Sequence, residues 1–176
     1  MRKKSFYTTR PNFISFFYFL IIYLLIIRIG SFNKKKTILD FGCGLGYLKK
    51  INKKLSNPSK IINYDKISMY SEIKNWQKIK FELIVFCQSA YMLSKKELSE
   101  VLSTLRKKNK KVQIITAFST ISKINLLMSK FLGHKNAYTG LKLKPHLEEK
   151  IFLTFGVIKK KINFFNLFKI YLLEFK

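Results

Sequence analysis

The 176-residue sequence predicts an α/β fold: a mostly parallel sheet closed by an antiparallel hairpin, with helices on both faces. Three observations point there. Near-continuous apolar runs of strand length alternate with mixed polar segments, some of helical periodicity. The first of these runs ends in three glycines at alternate positions, Gly42, Gly44 and Gly46, just before a helical segment. The last two apolar runs are separated only by a short turn around Asn166, the signature of a hairpin.

The elements follow in order. After a linker at 30–36, strands are expected at 37–41, 60–64, 81–86 and 112–117, each apolar enough to be covered on both faces. Residues 47–55 form the first helix after the glycines. Residues 95–107 form another, with Leu98, Val101, Leu102 and Leu105 at helical spacing. In the last third a helix at 146–155 stops at Gly156, and strands at 157–164 and 168–175 complete the hairpin. The division expected is a basic and apolar helical segment at 1–36 and one domain at 37–176.

Charge is lopsided: 35 Lys and Arg against 9 Asp and Glu give a net +26. Such a field attracts polyanions, either nucleic acid or anionic headgroups. Only Arg2, Arg10, Arg28 and Arg106 are arginine, however, and readers of phosphate and guanine favour the arginine fork. Nucleic acid is therefore a possible partner but not the favoured one. Cys43 and Cys87 are too few for a disulfide scaffold, and with two histidines they complete no zinc pattern, so no metal is expected and the cytoplasm is the default compartment.

Residues 13–29 read F-I-S-F-F-Y-F-L-I-I-Y-L-L-I-I-R-I. As a helix this run is ~25 Å long, short of the ~30 Å hydrocarbon core. Ser15, Tyr18, Tyr23 and Arg28 fall at scattered angles, so the helix has no polar face. Three readings stay open: a helix packed on the domain or a partner, attachment to a membrane surface, and a removed signal segment. For the signal stand Arg2, Lys3 and Lys4; against it stand Arg10-Pro11 before the run and the lack of a small-x-small site after it.

The chemistry lies in residues 37–46, T-I-L-D-F-G-C-G-L-G. Glycines at such a turn let the backbone take positive φ and approach a ligand, and the helix behind them offers unpaired N–H groups. Asp65, at the end of the second strand in I-I-N-Y-D, is placed to accept hydrogen bonds from two ribose hydroxyls. A pyrophosphate-binding turn would space its third glycine one residue later, so the ligand need carry no phosphate.

These residues resemble the first motif of the class I S-adenosylmethionine-dependent methyltransferases, a hydrophobic strand, an acid and G-x-G-x-G. Residues 81–93, F-E-L-I-V-F-C-Q-S-A-Y-M-L, are similar to the family's fourth-strand segment, and the likeness extends over 37–176. It implies a Rossmann-like seven-strand sheet and S-adenosylmethionine as cofactor. By the same resemblance Gly42, Gly44 and Gly46 line the methionine and adenosyl portions, and Asp65 holds the ribose. Asp40 orients the ligand's amino group or stabilises the loop. The family's third strand is expected at 70–74, which sets Asn75 and Trp76 to face adenine, Trp76 being equally readable as a core anchor.

Methyl transfer chiefly requires positioning, with a base where the nucleophile must lose a proton. Candidates beyond the strand ends are Gln88, Tyr91, His134, Tyr138 and His146, of which Gln88 can only orient a group. His134 is also readable as a surface histidine. The chain departs from small-molecule relatives in carrying Tyr91-Met92 where many have Glu-His. It lacks the proline-rich loop of enzymes that methylate base amines, and Cys87 lacks the proline of a cytosine-carbon nucleophile. The expected function is S-adenosylmethionine-dependent methylation of a small-molecule, lipid or glycan-linked acceptor in the cytoplasm, with membrane association through 13–29. The alternatives are a non-catalytic membrane-associated or scaffolding protein that keeps the fold, and an RNA methyltransferase.

Overall fold

The strands β1 (Thr37–Phe41), β2 (Lys60–Tyr64), β3 (Leu83–Cys87), β4 (Gln113–Ser119), β5 (Gly156–Phe164) and β6 (Phe168–Phe175) form one sheet in the order β2-β1-β3-β4-β6-β5. The first four are mutually parallel, and β6 pairs antiparallel with both β4 and β5. This computed structural model describes residues 13–120, 122–123, 127 and 142–176. The helices are α1 (Phe13–Ile29), α2 (Tyr47–Lys54), α3 (Lys95–Lys108) and α4 (Pro145–Phe155).

Side chains alternate across each strand, so the sheet has two apolar faces. One carries Ile38, Leu83, Val85, Ile115 and Ile170, buried under α1 and α2 by Ile22, Ile26, Ile29 and Leu48. The other carries Leu39, Ile84, Phe86 and Ile114, buried under α3 and α4 by Leu98, Leu102, Leu105 and Phe152. Each fully buried side chain of this size stabilises the fold by ~1.5 to 3 kcal/mol.

Local chemistry sets the element ends. Ser94 caps α3 through a reciprocal box: its Oγ accepts from Glu97 N at 3.2 Å while Glu97 Oε2 accepts from Ser94 N at 2.7 Å. Pro145 opens α4, where its missing N–H costs nothing. Phe165 and Asn166 both take positive φ in the hairpin turn.

Six strands stand among the described residues instead of the expected seven. Residues 70–74 form no strand; turns of 3-10 helix occupy Ser68–Tyr70 and Trp76–Lys78. Side chains here bond locally and compete with strand pairing: Ser71 Oγ donates to Ile73 O at 2.6 Å, and Asn75 Oδ1 accepts from Gln77 N at 2.9 Å. At the β2 edge Glu72 N donates to Asn63 O at 3.0 Å, and Asn63 N donates to the Glu72 carboxylate at 3.3 Å.

α1 lies on the sheet, with Phe19, Ile22, Tyr23, Ile26, Ile27 and Ile29 buried. Among the described residues, no helix is long and apolar enough to cross a membrane.

Candidate functional site

From β1 the chain crosses to β2 on one side and returns to β3 on the other, which opens a crevice beyond the C-terminal ends of β1 and β3. The glycine turn fills the floor of this crevice. Gly42 and Gly46 adopt φ of 77° and 67°. A Cβ on Gly42 would lie 2.4 Å from Ser89 Cβ, and one on Gly46 would lie 2.7 Å from Asn63 Nδ2, so both positions exclude a side chain by conformation and by space.

Backbone bonds fix the turn against β2: Gly42 N and Cys43 N both donate to Tyr64 O, at 2.7 and 3.2 Å. Asp65 continues the tie. Its Oδ2 accepts from Gly44 N at 3.0 Å, and its Oδ1 accepts from Ile67 N at 2.9 Å. Ser89 Oγ donates to Phe41 O at 2.6 Å and holds the turn from the β3 side. α2 begins directly at Gly46 with no side-chain cap, leaving its first N–H groups without a side-chain acceptor.

Asp40 sits in the middle of this arrangement, paired in register with Asn63 of β2 and Val85 of β3. It is 3% exposed, and its carboxylate accepts no hydrogen bond among the described residues. Burial, reinforced by the nearby charges of Asp65 and Glu72, pushes its pKa up to about 7. A buried carboxylate without a partner is costly, and a cation offsets that cost.

The cysteines carry no such chemistry. Burial and then the Asp40 charge push both the Cys43 and the Cys87 thiol upward, so each stays protonated, and Cys43 Sγ is 3.3 Å from Tyr70 O.

Gln88 follows β3 with φ of 49°, its N–H bonded to Ala117 O at 2.8 Å and its Nε2 donating to the Tyr18 hydroxyl at 3.0 Å. That bond brings the N-terminal half of α1 to the same end of the sheet as the glycine turn. Tyr91 O accepts from Lys142 N and Leu143 N, at 3.1 and 3.2 Å. His146 is exposed on a hollow of about 410 Å³ at the tops of β4 and β6, shared with Ser119, Glu149 and Lys169. A larger hollow of about 460 Å³, lined by Thr37, Phe81 and Lys108, opens at the opposite end of the strands, away from the glycine turn.

Without a third strand, the basis for placing Asn75 and Trp76 at its end is lost. Trp76 is 6% exposed in the core, edge-on to Phe41 at 5.9 Å, so its ring is a core anchor. Asn75 Oδ1 accepts from Gln77 N at 2.9 Å and caps the following 3-10 turn. His134 and Tyr138 lie outside the described residues.

Two features went unread in the sequence. The Tyr18–Gln88 bond joins residues 70 positions apart and leaves no local signal. Glu148 is 1% exposed in the first turn of α4, its Oε1 without a hydrogen-bond partner, and burial pushes its pKa up to about 8. Its signal was available: it stands on the apolar stripe of Pro145, Ile151 and Phe152.

This architecture is the class I S-adenosylmethionine-dependent methyltransferase fold, with six strands among the described residues. The PH0226 protein from Pyrococcus horikoshii OT3 is similar at a TM-score of 0.65 and 14% identity, over 91% of this chain and 92% of that one. The pyocyanin biosynthetic protein PhzM is similar at a TM-score of 0.69 and 12% identity, over 88% of this chain and 54% of that one. Human N-acetylserotonin methyltransferase, solved in complex with S-adenosylmethionine, is similar at 0.54 and 15%, over 81% of this chain and 48% of that one. The chain thus spans about half the length of the latter two. No family model and no curated protein matches the sequence.

Proposed function

We propose that the chain is an S-adenosylmethionine-dependent methyltransferase acting on a small-molecule, lipid or glycan-linked acceptor. The observation that carries this reading is Asp40, a buried carboxylate that accepts no hydrogen bond among the described residues, at the foot of a glycine turn that admits no side chain at Gly42 or Gly46. The residues present fit the cofactor. Asp40 suits its positive charge, the glycine backbone permits close approach, and the first N–H groups of α2 supply donors. Each Asp65 oxygen accepts one backbone N–H and keeps a lone pair for a ribose hydroxyl.

Bound there, the cofactor would supply an electrophilic methyl group on a sulfonium sulfur. The protein's own part is to hold that group in line with the acceptor and to exclude water. Gln88, between the turn and Tyr18, serves to orient an acceptor and cannot take its proton. His146 borders the neighbouring hollow.

A second, non-catalytic scaffolding reading draws on Tyr91-Met92 and on the missing third strand. Calorimetry of the full chain separates the two. Binding of S-adenosylmethionine and S-adenosylhomocysteine, lost in Gly42→Val, is expected of the enzyme. Folded protein that binds neither would leave the scaffold. Where binding is found, a screen of cell extract with labelled cofactor identifies the acceptor.

A further inference from the structure

α1 buries one side on the sheet and leaves an apolar side bare. Phe13, Phe16, Phe17 and Leu24 are exposed, by 77%, 42%, 46% and 39%, with half-buried Leu20 among them. At 100° per residue these five fall on one stripe, opposite Ile22, Ile26 and Ile29. The three phenylalanines cluster at its N-terminal end, with ring centroids 4.7 Å apart for Phe13 and Phe17 and 6.0 Å for Phe16 and Phe17. Arg28 closes the exposed stripe at the other end.

Charge decides what such a stripe meets. The first 64 residues hold 13 Lys and Arg and a single acid, Asp40, which is buried. α2, on the same sheet face as α1, exposes Lys50, Lys53 and Lys54, while Arg2, Lys3, Lys4 and Arg10 precede the helix in sequence. A second copy of the chain would set this basic surface against its like, which repels. An anionic bilayer satisfies both parts: phenylalanine and leucine enter the headgroup and acyl boundary, and the lysines meet the headgroups.

We propose that the outer surface of the α1–α2 layer docks on an anionic lipid bilayer, with α1 lying in the interface. The helix does not span; its sheet-facing side stays packed on the protein. Because Tyr18 meets Gln88, the phenylalanine end of α1 stands beside the crevice and brings its mouth to the membrane surface. Docking is independent of whether the site transfers methyl groups.

Flotation of the full chain with vesicles of phosphatidylglycerol and phosphatidylcholine, against phosphatidylcholine alone, tests this. Binding is expected to the anionic vesicles only and to weaken as salt rises. A Phe13→Ser, Phe16→Ser, Phe17→Ser variant, altered only at exposed positions, is expected to keep its circular dichroism and bind at least ~10-fold more weakly. Lys50→Glu, Lys53→Glu, Lys54→Glu should weaken binding as well. Three outcomes overturn the proposal: no flotation at low salt, binding indifferent to the phenylalanine substitutions, or a solution dimer that those substitutions dissociate.

Discussion

Asp40 and Asp65 approach the same glycine turn from neighbouring strands and differ in how they are satisfied. Asp65 accepts N–H bonds from Gly44 and Ile67, whereas the Asp40 carboxylate accepts none among the described residues. One acid therefore shapes the turn through both its oxygens, and the other lies buried beneath it.

The first prediction concerns pH. With its pKa raised from 3.8 to about 7, Asp40 keeps a proton in the folded state that the unfolded chain has already released, so its contribution to stability falls as pH rises between those values. A cationic ligand prefers the ionised form. Its affinity should climb as pH rises to about 7 and level off above, with protons released on binding below that point. Calorimetry in buffers of different ionisation enthalpy measures both quantities. Asp40→Asn should flatten the profile, and a flat wild-type profile would rule out Asp40 as the partner of the positive charge.

Asp65→Ala removes the side-chain acceptors of the Gly44 and Ile67 N–H groups and the ribose contact together. Cofactor binding should weaken by ~1.5 to 3 kcal/mol, the worth of hydrogen bonds to a charged group. Unchanged affinity would mean that the ribose lies elsewhere.

Glu148→Gln tests the buried acid in α4. The Glu148 pKa, raised from 4.5 to about 8, makes the wild-type fold progressively less stable across that interval as pH rises. Glutamine does not titrate, so the variant's advantage should grow through the same window and level off above it, by on the order of 5 kcal/mol. Denaturant melts at several pH values give the comparison; parallel curves would refute the assignment.

Removal of residues 1–30 takes away the cover over Ile38, Val85 and Ile115. The truncated chain should aggregate, as size-exclusion chromatography would report, because a bare sheet face of this kind is a sticky surface. Ile26→Ala, a milder test at a fully buried position, should cost ~2 to 5 kcal/mol of stability. A soluble, monomeric truncation would show that α1 adds little to the core.

What could be read from the sequence was local. The path from Thr37 through the glycines to α2 and β2 was legible because strand, turn and helix each leave short-range marks, and the C-terminal hairpin was legible for the same reason. The segment before Phe81 was misread because the resemblance supplied a strand where the Ser71 and Asn75 side chains instead bond to backbone two residues on. An all-round apolar helix gives no sign of which side packs, so the direction of α1 came only from its contacts with the sheet. Trp76 was legible as a large apolar residue, but its depth in the core depends on Phe41, far away in sequence.

The contact between Tyr18 and Phe168, ring centroids 5.6 Å apart, joins the first helix to the last strand. These residues are 150 positions apart (168 − 18), which at ~5 to 20 residues per second is roughly 8 to 30 s of synthesis. During that interval the most apolar of the described helices has been made, and the strand that completes its seat has not. Newborn chains should therefore depend on a holding chaperone during translation, and a stall before β6 should be more damaging than one of equal length at most other points in the message.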